Sequence, residues 1–503
     1  MNERKLGIFI SYLNIILHAV IGFAYVPILL HYIGKSEYGL YQLIGSFIAY
    51  FSIMDFGLTA AVVRFYSKYK VLQDKISMEN VLAIAIRAYM VITVIMFVIG
   101  LTVYWYLPNI FADSMTAEEL FSAKQLFLLL LFNIVVTVST MIFRAVINAH
   151  ERFLFLKGLE TLQLILQPVL VIVVLQKLPS ALAVAGVQTF LNLVLVGARI
   201  HYCFNILHIK IYYHYWDAKL FNNFKKLAIS VFAVTLIDQI FFKTNQVILG
   251  IVSGTAAVAV YSISSLIYMN YMSLSTAVSS VYLPHITGLI AQQVPVSKLS
   301  ELFIRIGRLQ YFLLALVASG FFIFGKQFIF MWAGSDFYEA YAITLLIIIP
   351  FTVDLIQNIG LSIMQAQNRY DFRAKVYCAM GILNLLLAVP LALKYGGSGC
   401  AFATGLAMFI GNGLVMNWYY SKVTGLDIAR FWKEIGRISF VVFILTVAAY
   451  SINSAFYMSG KLTFALKILV YTAIYSLAMY KFCMNAEEKN KVRNLSQKLK
   501  IIR

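Results

Sequence analysis

Apolar residues in this chain come in long blocks divided by short polar turns, from Leu6 almost to Met484. A helix that crosses the hydrocarbon core of a bilayer needs roughly 20 mostly apolar residues. The pattern predicts about fourteen such helices, over residues 6–33, 38–62, 80–106, 120–147, 158–177, 179–199, 226–252, 256–285, 305–325, 339–365, 375–394, 398–421, 437–454 and 461–482. The expected fold class is an all-α polytopic membrane protein: two pseudo-symmetric six-helix lobes plus two C-terminal helices. The expected organisation is an N-lobe over 1–200, a cytoplasmic interfacial linker over 201–225 and a C-lobe over 226–421. Helices 13 and 14 then occupy 422–484, and a basic cytoplasmic tail fills 485–503.

Composition sharpens this picture. Of the 503 residues, 61% are apolar and 12% charged, against roughly 25% charged in soluble globular chains. No soluble domain of any size fits between the blocks. Cys203, Cys378, Cys400 and Cys483 are scattered without paired spacing, so neither a disulfide framework nor a metal site is expected. The apolar run after Arg4 and Lys5 reaches Ile33, too long for a cleaved signal peptide, and reads as a retained first helix.

The net charge of +19 takes its meaning from where it lies. With a cytoplasmic N-terminus, cytoplasmic segments hold 31 of the 40 Lys and Arg, and external segments hold seven. Retention of Lys and Arg on the cytoplasmic side sets orientation, so both termini are expected in the cytoplasm. Trp105, Trp216, Trp332, Trp418 and Trp432 fall at predicted helix ends or in the adjoining loops, as in an interfacial aromatic belt. The basic charge is then an orientation signal and an attraction to anionic headgroups; nucleic acid is not an expected partner.

The halves resemble one another at an offset of about 217–220 residues. Gly34 and Tyr41 match Gly254 and Tyr261, and Ala149-His150-Glu151-Arg152-Phe153 matches Ala366-Gln367-Asn368-Arg369-Tyr370. Six helices per repeat make the two halves run in the same sense through the membrane, as in transporters built from parallel repeats.

Ionisable side chains at membrane depth normally face a protein interior or a wet cavity, because a charge at the bilayer centre costs about 2.5–3.5 kcal/mol on insertion scales. In helix 1, Ser11, Asn14, His18, Gly22 and Tyr25 form one stripe. Helix 7 carries an arc of Thr235, Asp238, Gln239, Lys243, Asn245 and Gln246, in which Asp238 is repeat-equivalent to His18. Helix 2 adds Ser52, Asp55 and Thr59, helix 3 adds Arg87, and helix 10 adds Asp354. Arg64 and Arg144 lie at cytoplasmic helix ends. The candidate cavity residues are Lys243, Arg87, Arg64, Arg144, Asp55, Asp238, His18 and Asn14; Asp55, Asp238 and Asp354 are candidates for ion coupling. Each also has a plainer reading: mutual neutralisation of Asp238 and Lys243, hydrogen-bonded packing of His18, snorkelling of Arg87 to the interface. Pro27 and Pro168 sit within helices, and Gly396-Gly397-Ser398-Gly399 is a tight turn rather than a phosphate loop.

These residues resemble a known family. The segment Leu13 to Tyr69 is similar to the start of the Wzx-type polysaccharide flippases, through Val26-Pro27, Tyr32-Ile33-Gly34-Lys35-Ser36-Glu37-Tyr38-Gly39-Leu40-Tyr41, Asp55-Phe56-Gly57-Leu58 and Val63-Arg64-Phe65-Tyr66. Ala149 to Phe153, Gln365 to Phe372 and Tyr395-Gly396-Gly397-Ser398-Gly399-Cys400-Ala401 resemble that family's turns. The resemblance covers the whole chain in helix count and repeat, and none of its motifs is a catalytic signature. It implies membership of the multidrug/oligosaccharidyl-lipid/polysaccharide (MOP) superfamily, which also holds MATE drug exporters and the lipid II flippase MurJ. It further implies a non-enzymatic flippase of the bacterial cytoplasmic membrane. Its cargo would be an undecaprenyl-pyrophosphate-linked oligosaccharide, moved from inner to outer leaflet by alternating access. Implied partners are this lipid-linked substrate, membrane lipids, and a polysaccharide polymerase with its assembly proteins. No cofactor is expected beyond coupling to H+ or Na+. Two other readings stand beside it. A MATE-like cation-coupled exporter usually stops at twelve helices, and a membrane enzyme of polysaccharide synthesis needs a larger external loop than the dozen or so residues near Pro108–Leu120 or Lys326–Tyr338.

Overall fold

The computed structural model describes residues 3–367, 369–455, 460–490 and 493. Among them the chain is almost wholly helical, with no strand. In chain order the helices are α1 (Glu3–Phe51), α2 (Leu58–Val71), α3 (Lys75–Ile110), α4 (Ala117–Ser139) and α5 (Met141–Ala149). Next come α6 (Phe153–Leu175), α7 (Ala181–His201), α8 (Ala218–Ala291), α9 (Val296–Trp332) and α10 (Glu339–Leu355). The last are α11 (Asn358–Ala366), α12 (Tyr370–Met408), α13 (Met416–Lys422), α14 (Ile428–Ala455) and α15 (Lys461–Ala478). Side-chain caps start several of them. Asp74 accepts from Ser77 N–H at 3.0 Å to open α3, Ser180 caps α7 through Ala183 N–H at 3.2 Å, and Thr116 with Glu119 forms a full capping box on α4.

Among the described residues, eleven stretches are long and apolar enough to cross a membrane, and three of them, Ile16–Val71, Thr235–Ala291 and Asp371–Lys422, are about twice the needed length. A glycine breaks each of the three. Gly34 (φ 74, ψ −179), Gly254 (φ 78, ψ −174) and Gly396 (φ 56, ψ −135) leave helical geometry, and the first two sit in a backbone region open essentially to glycine alone. Doubling those three gives fourteen crossings, and the chain is a multi-pass membrane protein. The repeat is visible in the backbone. Gly34 and Gly254 are 220 residues apart with matching torsions, and the interruption at Thr140 between α4 and α5 returns 217 residues later at Gln357, between α10 and α11.

The chain divides into two compact units, Met1–Ser262 with Ala388–Cys400 and Ile263–Leu387 with Ala401–Arg503. In the first, the part of α1 after Gly34 zips along α8. Leu43 packs on Gly250, Ser46 donates to Gln246 Oε1, the Tyr50 and Thr244 hydroxyls bond, and Phe56 stacks on Phe232 at 5.2 Å. At one end of this unit the segment after α7 lies against α3. Asn80 Oδ1 accepts from His214 N–H and Tyr215 N–H, and the Arg87 guanidinium stacks 3.6 Å above the Tyr213 ring.

The second unit is built around α9. Phe312, Ala315, Ile323 and Phe324 of that helix bury against Ile438 and Val442 of α14 and Tyr471 and Tyr475 of α15, so the two C-terminal crossings share its core. A charged staple closes the same packing. The Arg308 guanidinium, 5% exposed, donates to both carboxylate oxygens of Glu488 at 3.0 and 2.9 Å, to Glu434 and to the Cys483 carbonyl at 2.8 Å. This pins the segment after α15 to α9 and α14. Of the basic tail beyond Asn490, only Arg493 lies among the described residues.

Candidate functional site

A cavity of about 340 Å³ opens inside the first unit. Five helices contribute to its wall: α1 beyond Gly34 (Tyr41, Gln42, Gly45, Ile48, Ala49), α4 (Leu130, Asn133, Ile134, Thr137), α6 (Gln163), α7 (Gln188, Asn192) and α8 (Lys243). Each of these helices is apolar enough to span a bilayer, so a side-chain amide in it must find partners inside the protein. Here they find one another. Tyr41 donates its hydroxyl proton to Gln188 Oε1 at 2.6 Å, and Asn192 donates to Thr137 Oγ1 at 2.8 Å and to Asn133 Oδ1. Asn133–Thr137 and Gln188–Asn192 are each four residues apart, which places each pair on one helix face.

Among the described lining residues Lys243 is the only cation, and none is Asp or Glu. It lies eleven residues before the break at Gly254, about 16 Å along the helix axis, and so near the middle of a core about 30 Å thick. Among the described residues its ammonium has no hydrogen-bond or ion-pair partner, and Asp238 does not neutralise it. Two residues of the polar arc on α8 serve packing. Asn245 and Gln246 are 1% and 2% exposed and bond to Tyr261 at 2.8 Å and Ser262 at 3.0 Å.

The other residues singled out from sequence lie elsewhere. Asn14 bonds to α6, accepting from the Thr161 hydroxyl at 2.6 Å, while His18 is exposed. Asp55 sits in a short 3-10 turn between α1 and α2, where Phe56 and Gly57 both take left-handed torsions. Its Oδ1 accepts from Tyr89 at 2.7 Å and Thr59 at 2.9 Å. Arg64 is exposed, Arg87 stacks on Tyr213, and Asp238 is half-buried. Arg144 pairs with Glu160 at 2.7 Å, which also holds Lys157 at 2.7 Å. Asp354 belongs to the second unit, where Arg373 is the charge facing it; that guanidinium bonds to Asn412 in a π-helical bulge. The Ser11 side chain lies outside the described residues. The amides of the cavity carry no charge, and their sequence signal is the recurrence of Asn, Gln and Thr at four-residue spacing within apolar blocks.

Outside the spans, His150 lies in the turn between α5 and α6 and hydrogen-bonds the Tyr66 hydroxyl at 3.1 Å. Burial first, and then the neighbouring Lys70 and Arg152 charges, push its pKa down to about 4.

Residues 5–290 match the family described as polysaccharide biosynthesis protein. The chain belongs to that family. No curated protein sequence matches it at a significant level. Among solved structures, it is similar to the lipid II flippase MurJ in an inward closed conformation, with a TM-score of 0.74 at 18% identity, over 95% of this chain and 98% of that one. It is also similar to an inward-facing MATE family multidrug transporter of the MOP superfamily, with a TM-score of 0.62 at 12% identity, over 82% and 95%. A MOP superfamily transporter from Pyrococcus furiosus gives 0.54 at 12% identity, over 84% and 96%. This member of the polysaccharide biosynthesis family therefore has the MOP transporter fold, as its motifs led us to expect.

Proposed function

We propose that this protein is a flippase for a polyprenyl-diphosphate-linked oligosaccharide, which it moves from the inner to the outer leaflet of a bacterial cytoplasmic membrane by alternating access. The observation that carries the reading is the cavity wall: among the described residues, five side-chain amides, two hydroxyls and one ammonium with no carboxylate beside it. Amides offer a donor and an acceptor each, the chemistry that sugar hydroxyls require. A single fixed cation in a poorly screened interior attracts an anionic group such as a diphosphate far more strongly than it would in water. The family match and the MurJ-like fold support the same assignment. Both termini face the cytoplasm on this reading, and a polymerase and assembly proteins act on the delivered glycan. Asp55 is our first candidate for H+ or Na+ coupling, because it lies in a helix break and accepts hydrogen bonds from hydroxyls only; Asp238 and Asp354 stand behind it.

A MATE-like exporter of small cations shares the fold. Capture of a cation needs a carboxylate in the cavity, and the described wall has a lysine instead. The deciding experiment deletes the gene in the native bacterium and measures polyprenyl-linked sugars by mass spectrometry, with leaflet location read from enzyme access in spheroplasts. We expect a completed repeat unit to accumulate on the cytoplasmic side. An unchanged lipid-linked pool with intact surface glycan would sink the flippase and favour the exporter.

A further inference from the structure

The break at Gly34 and the break at Gly254 meet in space, and a third turn joins them. Ser36 and Thr255 follow the two repeat-related glycines, and their hydroxyl oxygens stand 2.9 Å apart. Both donate to one oxygen of Glu119: Thr255 at 2.9 Å and Ser36 by a short hydrogen bond. The other carboxylate oxygen accepts from the Thr116 N–H at 3.0 Å and closes the capping box of α4. Capping therefore explains Oε2 and leaves Oε1 free to hold two turns from the two sequence repeats.

Backbone packing at this point is close. A Cβ on Gly39 would fall 1.9 Å from the Thr255 carbonyl oxygen, and one on Gly254 would fall 2.8 Å from the Ser114 carbonyl oxygen. Nothing the size of a sugar passes between these turns. The cavity lies directly beneath, since its wall begins at Tyr41, five residues after Ser36 and about 7.5 Å along the helix.

We infer that Glu119, Ser36 and Thr255 form a latch that closes the outer end of the cavity, and that release of its two hydroxyl bonds is the step that opens this end. The inference rests on the proposed reading that the cavity opens alternately to two sides. A carboxylate shared by two hydroxyls suits the task. Each bond is charge-assisted and strong while closed, yet the hydroxyls and the carboxylate all find water as the turns part.

The test measures access, not cargo. In a full-length chain freed of Cys203, Cys378, Cys400 and Cys483, a cysteine placed at Gly45, a cavity position with open space around it, is labelled in whole cells by a membrane-impermeant maleimide. Ser36→Ala with Thr255→Val leaves the capping box intact and is expected to raise outside labelling about tenfold or more, which is what one hydrogen bond to a charged group contributes to an equilibrium. Ser36→Cys with Thr255→Cys is expected to form a disulfide on oxidation that abolishes outside labelling at position 45, read by mass spectrometry from the peptide that carries it, with recovery at that position on reduction. Failure of the disulfide to form in folded protein, or labelling that neither pair of substitutions moves, overturns the latch. Cargo does not enter the readout, so loss of the flippase reading in the deletion experiment leaves this result standing.

Discussion

Arg308 in the second unit and Lys243 in the first are cations in apolar helices, and their surroundings are opposite. Four of the five donors of Arg308 are used, on Glu488, Glu434 and the Cys483 carbonyl. Lys243 has a cavity before it and no described partner. A cation held by two carboxylates and a carbonyl holds structure; a cation left unpaired at membrane depth raises the energy of the empty protein and lowers it again when an anion arrives. The difference separates the staple from the binding group more reliably than depth in the sequence does.

The largest expected effect comes from breaking the paired site. Arg308→Ala leaves Glu488, 4% exposed, buried without its cation, and should cost about 3–5 kcal/mol of stability, read as a fall in thermal unfolding temperature in detergent. Lys243→Met should do the reverse to stability, leaving it unchanged or raising it by about 1 kcal/mol, because an uncompensated buried charge is removed. The same variant should reduce transport by about tenfold or more, the loss of one charged contact to cargo. A Lys243→Met protein that unfolds as readily as Arg308→Ala would erase the distinction between the two sites.

His150 sharpens the comparison with a third solution, in which a half-buried titratable group is held neutral. Its folded pKa of about 4 lies below the ordinary value of 6.5, so between those values the unfolded chain binds a proton that the folded chain refuses. Stability therefore rises with pH across that window and falls as the medium is acidified from pH 6.5 towards 4. At pH 5 the loss should be about 1 kcal/mol after allowance for partial exposure. His150→Gln should remove this increment, seen as a flatter unfolding temperature between pH 7 and 5.

Much of the fold was legible in the chain. Blocks of about twenty apolar residues have one stable form in lipid, because only a helix satisfies its own backbone there, and that alone predicts the crossings. The turns at Gly34 and Gly254 were visible because their torsions exclude other residues, and Lys243 stood out because an ionisable group at that depth is costly. The breaks at Asp55–Gly57, Thr140 and Gln357 were not visible, since three or four residues of altered geometry hardly disturb an apolar block.

What the sequence determined by itself was the class of molecule, its helix order and its internal repeat, all of which follow from local cost of exposure to lipid. What only the tertiary structure decided was which polar groups face each other. Asn245 and Gln246 share an arc with Lys243, yet they are consumed by Tyr261 and Ser262, while Asn133 of α4 meets Gln188 and Asn192 of α7 to line one cavity. Ser36, Glu119 and Thr255 are likewise far apart in the chain and meet at one oxygen atom. Helical periodicity fixes the face on which a side chain stands, but the partner on that face is set by how the helices pack, and packing is a property of the whole assembly of helices.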